Sequence, residues 1–123
     1  MTPFGQKLRE LRAARSLSLK SMANEIGVSA AYLSALEHGR RGSPAWYLVQ
    51  RIISYFNIIW DDAEELEKLA QMSNPRVVLD TSGLKSEVTA LANRLPKIIP
   101  YLSVEDITEI NAVISARLRA IGK

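Results

Sequence analysis

LSLKSMANEIGVSAAYLSALEHGRRGSP, residues 17–44, decides the fold. Two short amphipathic segments sit here, with one glycine between them. Ser18 is a good N-cap for a helix over 19–26, because its hydroxyl can accept from a free backbone N–H of the first turn. The inward residues of that helix are Met22, Ala23 and Ile26. Gly27 ends it in the left-handed conformation that glycine adopts cheaply. Val28 is an apolar plug in the turn. Ser29 caps a second short helix, which buries Leu33 and Leu36 and stops at Gly39.

Working outward, FGQKLRELRAAR (residues 4–15) places Phe4, Leu8 and Leu11 on one helical stripe behind Pro3. On the other side, Ser43 and Pro44 read as a cap and first-turn proline for a helix of about 44–56. Leu48, Ile52 and Phe56 form its stripe, and Trp46, Val49 and Ile53 widen it. Asp61, with Glu64 three residues on, has the spacing of a capping box for a fifth helix, with Leu66, Leu69 and Ala70 inward. Asn74-Pro75 stops that helix. Val77, Val78 and Leu79 are β-prone, and residues 76–80 read either as a short strand or as an extended, buried linker. A strand there needs a partner. No second strand is visible in the chain, so a symmetric copy is one source. Two more helices follow. One covers about 84–99, with Leu84, Val88, Leu91, Leu95 and Ile98 inward and Pro96 expected to kink or end it. The other covers about 104–120, capped by Ser103 with Asp106, with Ile107, Ile110, Ile114, Leu118 and Ile121 at alternating three- and four-residue spacing. The fold class is all-α, with five helices, then two more, and a short strand near 76–80 as the one open element.

Two short helices joined through Gly27-Val28 have the spacing of a helix-turn-helix, whose second helix enters the DNA major groove. The whole stretch resembles the Cro/C1-type (XRE-like) transcriptional regulators. The matching features are Ala23, Gly27-Val28, the YLS.LE.G run from Tyr32 to Gly39, and Pro44. The resemblance covers about residues 4–60 and implies a DNA-binding domain over 1–73. It places Ser29 at the start of the recognition helix, where a phosphate is met. It turns Ala30, Ala31, Tyr32, Ser34 and Ala35 toward bases or the groove wall. His38, Arg40 and Arg41 follow the helix and suit the backbone. Ser18 and Lys20 lie near the other strand, and Glu37 is expected to be structural rather than DNA-facing. One departure is Leu19, which stands where the family often has a phosphate-binding glutamine. Alanines cannot make bidentate hydrogen bonds to bases. They can pack on thymine methyls and let the helix sit deep, so the expected readout has few polar base contacts and a large share from phosphates and DNA shape.

The charge distribution agrees. Residues 1–60 carry eight Lys/Arg against three Glu, a net of +5, and residues 61–123 carry eight basic against ten acidic groups, a net of −2. With no cysteine there is no disulfide, thiolate metal site or cysteine nucleophile. The one histidine, His38, has no ligand spacing around it, and no nucleophile elbow is present. The cluster Asp61, Asp62, Glu64, Glu65 and Glu67 reads as a solvated helix start. The aromatic group Trp46, Tyr47, Tyr55, Phe56 and Trp60 reads mostly as core, with Trp46 or Trp60 as the members that could line a ligand pocket or interface. No enzyme activity, cofactor or metal is expected. No run is long enough to span a membrane, and the N-terminus is unlike a signal peptide, so the cytoplasm is the expected location. The expected function is a regulator that binds double-stranded DNA as a homodimer on a (pseudo)palindromic operator. Residues 74–123 would supply dimerisation or regulation. The alternative is a protein-interaction or antitoxin-like module whose C-terminal helices bind a partner, with a small effector ranked last.

Overall fold

The computed structural model describes all residues from 1 to 123 and contains seven α-helices, one 3-10 turn and no strand. The helices are α1 (Pro3–Ala14), α2 (Leu19–Ile26), α3 (Ala30–Glu37), α4 (Trp46–Tyr55), α5 (Trp60–Gln71), α6 (Ser86–Ile98) and α7 (Val104–Ala120). The 3-10 turn is Ile99–Tyr101. Two compact units result, Met1–Val77 and Val78–Lys123.

The first unit is built as its apolar periodicity requires. Phe4 and Leu8 of α1, Met22, Ala23 and Ile26 of α2, Leu33 and Leu36 of α3, Leu48, Val49 and Ile52 of α4, and Leu66 and Ala70 of α5 share one core with Phe56. The caps act where serine chemistry puts them. Ser18 Oγ accepts from Ser21 N at 3.0 Å, and Ser29 Oγ accepts from Tyr32 N at 3.1 Å. Gly27 closes α2 at φ 78°, where a side chain would be strained. Gly5 answers a different need. A Cβ on it would lie 2.4 Å from the Leu36 carbonyl oxygen and 2.7 Å from that of Glu37, so α1 and α3 approach backbone to backbone.

Three helix starts differ from expectation: α6 begins at Ser86 instead of about 84, which leaves Leu84 outside the helix. α4 begins at Trp46 with Ala45 as its N-cap, and no side chain caps it. Pro44 is buried in the preceding loop instead of opening the helix, and the first accepting carbonyl belongs to Ala45. α5 begins at Trp60, so Asp61 and Asp62 lie inside the first turn, past the capping position. They still favour the helix dipole. The aromatic group is not mostly core: Phe56 is buried and Tyr55 partly so, while Trp46, Tyr47 and Trp60 are exposed. Near 76–80 no strand forms, because no ladder partner exists in the chain. Nor is the segment a buried linker, since Val77, Val78 and Leu79 are 75%, 91% and 58% exposed.

The second unit has its helices but no core. Pro96 is accommodated inside α6, which ends two residues later at Ile98 with Pro100 just beyond. Ser103 and Asp106 form the expected capping box at the head of α7. Yet α6 and α7 bury no residue, and the stripes predicted to face inward lie largely in the open. Among them only Leu95 is even half-buried. Helices of this length are marginal in water without tertiary cover.

Candidate nucleic-acid interface

The α2-turn-α3 unit rests on long-range anchors. Glu37, the last residue of α3, is 2% exposed, and its carboxylate accepts from Arg12 Nε at 2.9 Å and Nη2 at 3.1 Å. Arg12 Nη1 donates to the Leu17 carbonyl at 3.1 Å, so one α1 guanidinium holds both the end of α3 and the chain leading into α2. The Glu37 hydrogen bonds raise the Arg12 pKa further above its already high value, and the guanidinium stays charged at any working pH. Arg51 of α4 donates to the Ile26 carbonyl at 3.2 Å and covers the open end of α2. Arg15 does the same for α4, donating to the Phe56 carbonyl at 2.8 Å and stacking over the Phe56 ring at 4.8 Å. The Arg51 and Arg15 bonds suit the negative end of a helix.

These anchors change the meaning of the basic half. Three of its eight cationic residues, Arg12, Arg15 and Arg51, are engaged internally. Lys20, Arg40 and Arg41 remain exposed around the helix pair. Arg41 lies over the Tyr32 ring at 5.6 Å, which positions the cation against α3.

Each of the residues singled out from sequence can be located. Ser18 and Ser29 are the two N-caps, and Lys20 is in the first turn of α2. Ala30 and Ala31 are exposed in the first turn of α3, while Tyr32, Ser34 and Ala35 are half-buried. Tyr32 packs against the core and also meets Arg41. His38 folds back on its own helix, its Nδ1 2.8 Å from the Ser34 carbonyl oxygen. Because that oxygen can only accept, Nδ1 carries the proton and Nε2 is left as the outward acceptor. Arg40 is exposed in the loop. Ser18, Lys20, Ala30 and Ala31 belong to the open part of this surface, and Tyr32, Ser34 and Ala35 to its half-covered wall. Leu19 is partly buried against the core, which accounts for an apolar residue at that position.

The structure adds two residues. A cleft of about 490 Å³ between α2 and α3 is lined by Lys20, Ser21 and Asn24 with Val28 and Ala30. Ser21 and Asn24 therefore share a wall with the start of α3. The signal was present in the spacing, since Lys20 and Asn24 are four apart and fall on one helix face.

Residues 3–69 match a family model described as a helix-turn-helix domain. The chain belongs to that family. Its type is the Cro/C1 (XRE-like) one, as the sequence resemblance implied. Two curated relatives from Bacillus subtilis strain 168 match the same region. The "Uncharacterized HTH-type transcriptional regulator RghRB" is 37% identical over 62 residues, covering 50% of this chain and 45% of that protein. The "HTH-type transcriptional repressor RghR" is 36% identical over 61 residues, with the same coverage of each. The chain thus spans about half the length of the curated relatives it matches. Among solved structures, a chain of a SinR protein/SinI protein complex overlays at a TM-score of 0.45 with 20% identity, covering 93% of this chain and 96% of that one. No helix is long and apolar enough to cross a membrane.

Proposed function

We propose that this chain is a cytoplasmic, sequence-specific transcriptional regulator that binds double-stranded DNA as a homodimer on a (pseudo)palindromic operator. The observation that carries the reading is the exposed start of α3. Small side chains, Ala30 and Ala31, stand open there behind a serine-capped N-terminus. Cations flank them, with Lys20 in the cleft shared with Ala30 and Arg41 against Tyr32. The Ser29 cap and the free N–H groups of the first turn meet a phosphate. The alanines admit the helix to the major groove and pack on thymine methyls, and Tyr32 and Ser34 line the wall. Lys20, Arg40 and Arg41 follow the backbone. In this reading residues 1–73 bind DNA and residues 74–123 join two copies. The relatives named as regulators support it.

The homodimer is supported by the second unit. It buries no residue, while Val88, Leu91 and Ile98 of the α6 stripe, Leu84 just ahead of that helix, and Ile107, Ile110, Ile114 and Leu118 of the α7 stripe are exposed. A copy of the same stripes is a self-complementary cover. The same exposure favours a second reading, in which a partner protein covers these helices and the helix-turn-helix is scaffold.

Arg40→Ala with Arg41→Ala separates the two. Three cations per copy make six phosphate contacts per dimer, for a slope of log affinity on log salt of about −5. The double variant keeps two and should fall to about −2, losing affinity while circular dichroism is unchanged. Unaltered affinity and slope would remove DNA binding by this surface and leave the scaffold reading.

A further inference from the structure

Residues 76–80 run Arg-Val-Val-Leu-Asp and make up an exposed arm between the last helix of the first unit and the first helix of the second. Residues 77–80 make no backbone hydrogen bond within the chain. β-branched and apolar side chains on an unpaired backbone are a strand without a partner. No strand exists elsewhere in the protein to supply one.

We infer that this arm pairs with the same arm of a second copy, as a two-stranded antiparallel ladder centred on Val78. The inference rests on the homodimer reading above and adds the contact that sets its register. Charge complementarity fixes the register. In an antiparallel pair about a two-fold axis through Val78, Arg76 stands directly opposite Asp80 of the other copy, and Asp80 opposite Arg76. Val77 faces Leu79, and Val78 faces itself. Shifting the centre by one residue either way sets each charge against an apolar residue or outside the segment. Only the Val78 register is self-complementary.

The backbone supports the same register. If Val78 is a non-hydrogen-bonded pair, the ladder uses the N–H and C=O groups of Val77 and Leu79, which are free. It spares the Arg76 N–H, which already donates to Asn74 Oδ1 at 3.0 Å. Pro75, which has no N–H, falls at the next ladder position and ends the pairing. Directly opposite residues share a face of the ladder. One face then carries two Arg76–Asp80 pairs around the valines, and the other carries four apolar side chains. Hydrogen bonding from Ser82 holds the Asp80 carboxyl below the usual aspartate range, so it is ionised at neutral pH. A two-stranded ladder is marginal alone and adds to the exposed helix stripes of the second unit rather than replacing them.

The chain has no cysteine, which makes single-cysteine cross-linking clean. In this register the two Val78 Cα atoms lie about 4.5 Å apart, within disulfide reach. Val78→Cys in the full chain should form a disulfide-linked dimer rapidly under mild oxidation. Ser82→Cys, roughly 26 Å from its mate by strand rise, should not. Arg76→Asp and Asp80→Arg should each weaken self-association roughly tenfold, because each sets like charges opposite one another twice. Mixing those two variants should restore association as a heterodimer, since both cross-strand pairs are then of opposite sign. Sedimentation measures self-association independently. A dimer in which Val78→Cys links no faster than Ser82→Cys, or a mixture no tighter than either variant alone, overturns the arm pairing and leaves the homodimer standing. A chain that stays monomeric at every concentration overturns both.

Discussion

Replacing Arg12 by alanine tests how the recognition helix is held. Alanine removes the 2.9 Å and 3.1 Å bonds to Glu37 and the 3.1 Å bond to the Leu17 carbonyl. What remains is a carboxylate on a residue only 2% exposed, with no cation beside it. Breaking a buried pair from one side costs about 3–5 kcal/mol, because the orphaned charge keeps its desolvation penalty. Small domains have only about 5–15 kcal/mol in total, so the loss is a large share of the whole. A loss of about 3 kcal/mol raises the open population about 150-fold. Amides of Leu33 and Leu36, if they exchange through opening of the first unit, should therefore exchange at least a hundredfold faster, and the urea midpoint should fall. Arg12→Ala combined with Glu37→Gln should recover about 1 kcal/mol or more, since the buried group is then neutral. Hydrogen exchange read at α3 isolates the first unit from the second. A midpoint shift under about 0.5 kcal/mol, or a double variant no better than the single one, would refute the argument that this pair anchors α3.

Three other outcomes follow from particular contacts. Gly5→Ala should destabilise the first unit by about 1–3 kcal/mol in urea unfolding, although alanine is ordinarily the better helix former, because its Cβ would meet the α3 backbone. Ser103→Ala should cost α7 about 1 kcal/mol, seen as reduced helicity by circular dichroism, since it deletes one half of the capping box. Ala31→Glu should weaken DNA binding at least tenfold in a fluorescence anisotropy titration without a change in fold, by bringing an anion to the phosphates at an exposed position.

What could be read from the sequence was local. Ser18, Gly27 and Ser29 act within three or four residues of themselves, and their chemistry fixes α2, the turn and α3 whatever the rest of the chain does. Apolar spacing likewise placed the core of all five N-terminal helices. The Asp61–Glu64 spacing misled because a capping box can be written in sequence while the backbone starts its helix two residues too early to use it. The charge count misled for a different reason. Arg12, Arg15 and Arg51 find partners 25 to 41 residues away, and no window of sequence shows that they are spent on holding helices together. The inward stripes of α6 and α7 were real as periodicity, but within one copy none of their residues is buried. Periodicity states that a face is to be covered and does not name the cover.

The most direct test is selection of bound fragments from a random duplex library by the purified full chain, at two salt concentrations. The account predicts an inverted repeat whose half-site centres lie about one helical turn, roughly 34 Å, or a multiple of it apart, with thymines where Ala30 and Ala31 enter. Replacing those thymines by uracil should then weaken binding, because the methyl that the alanines touch is gone. Recovery of no motif, with binding that vanishes as salt rises, would mean phosphate attraction alone and would contradict a recognition role for α3.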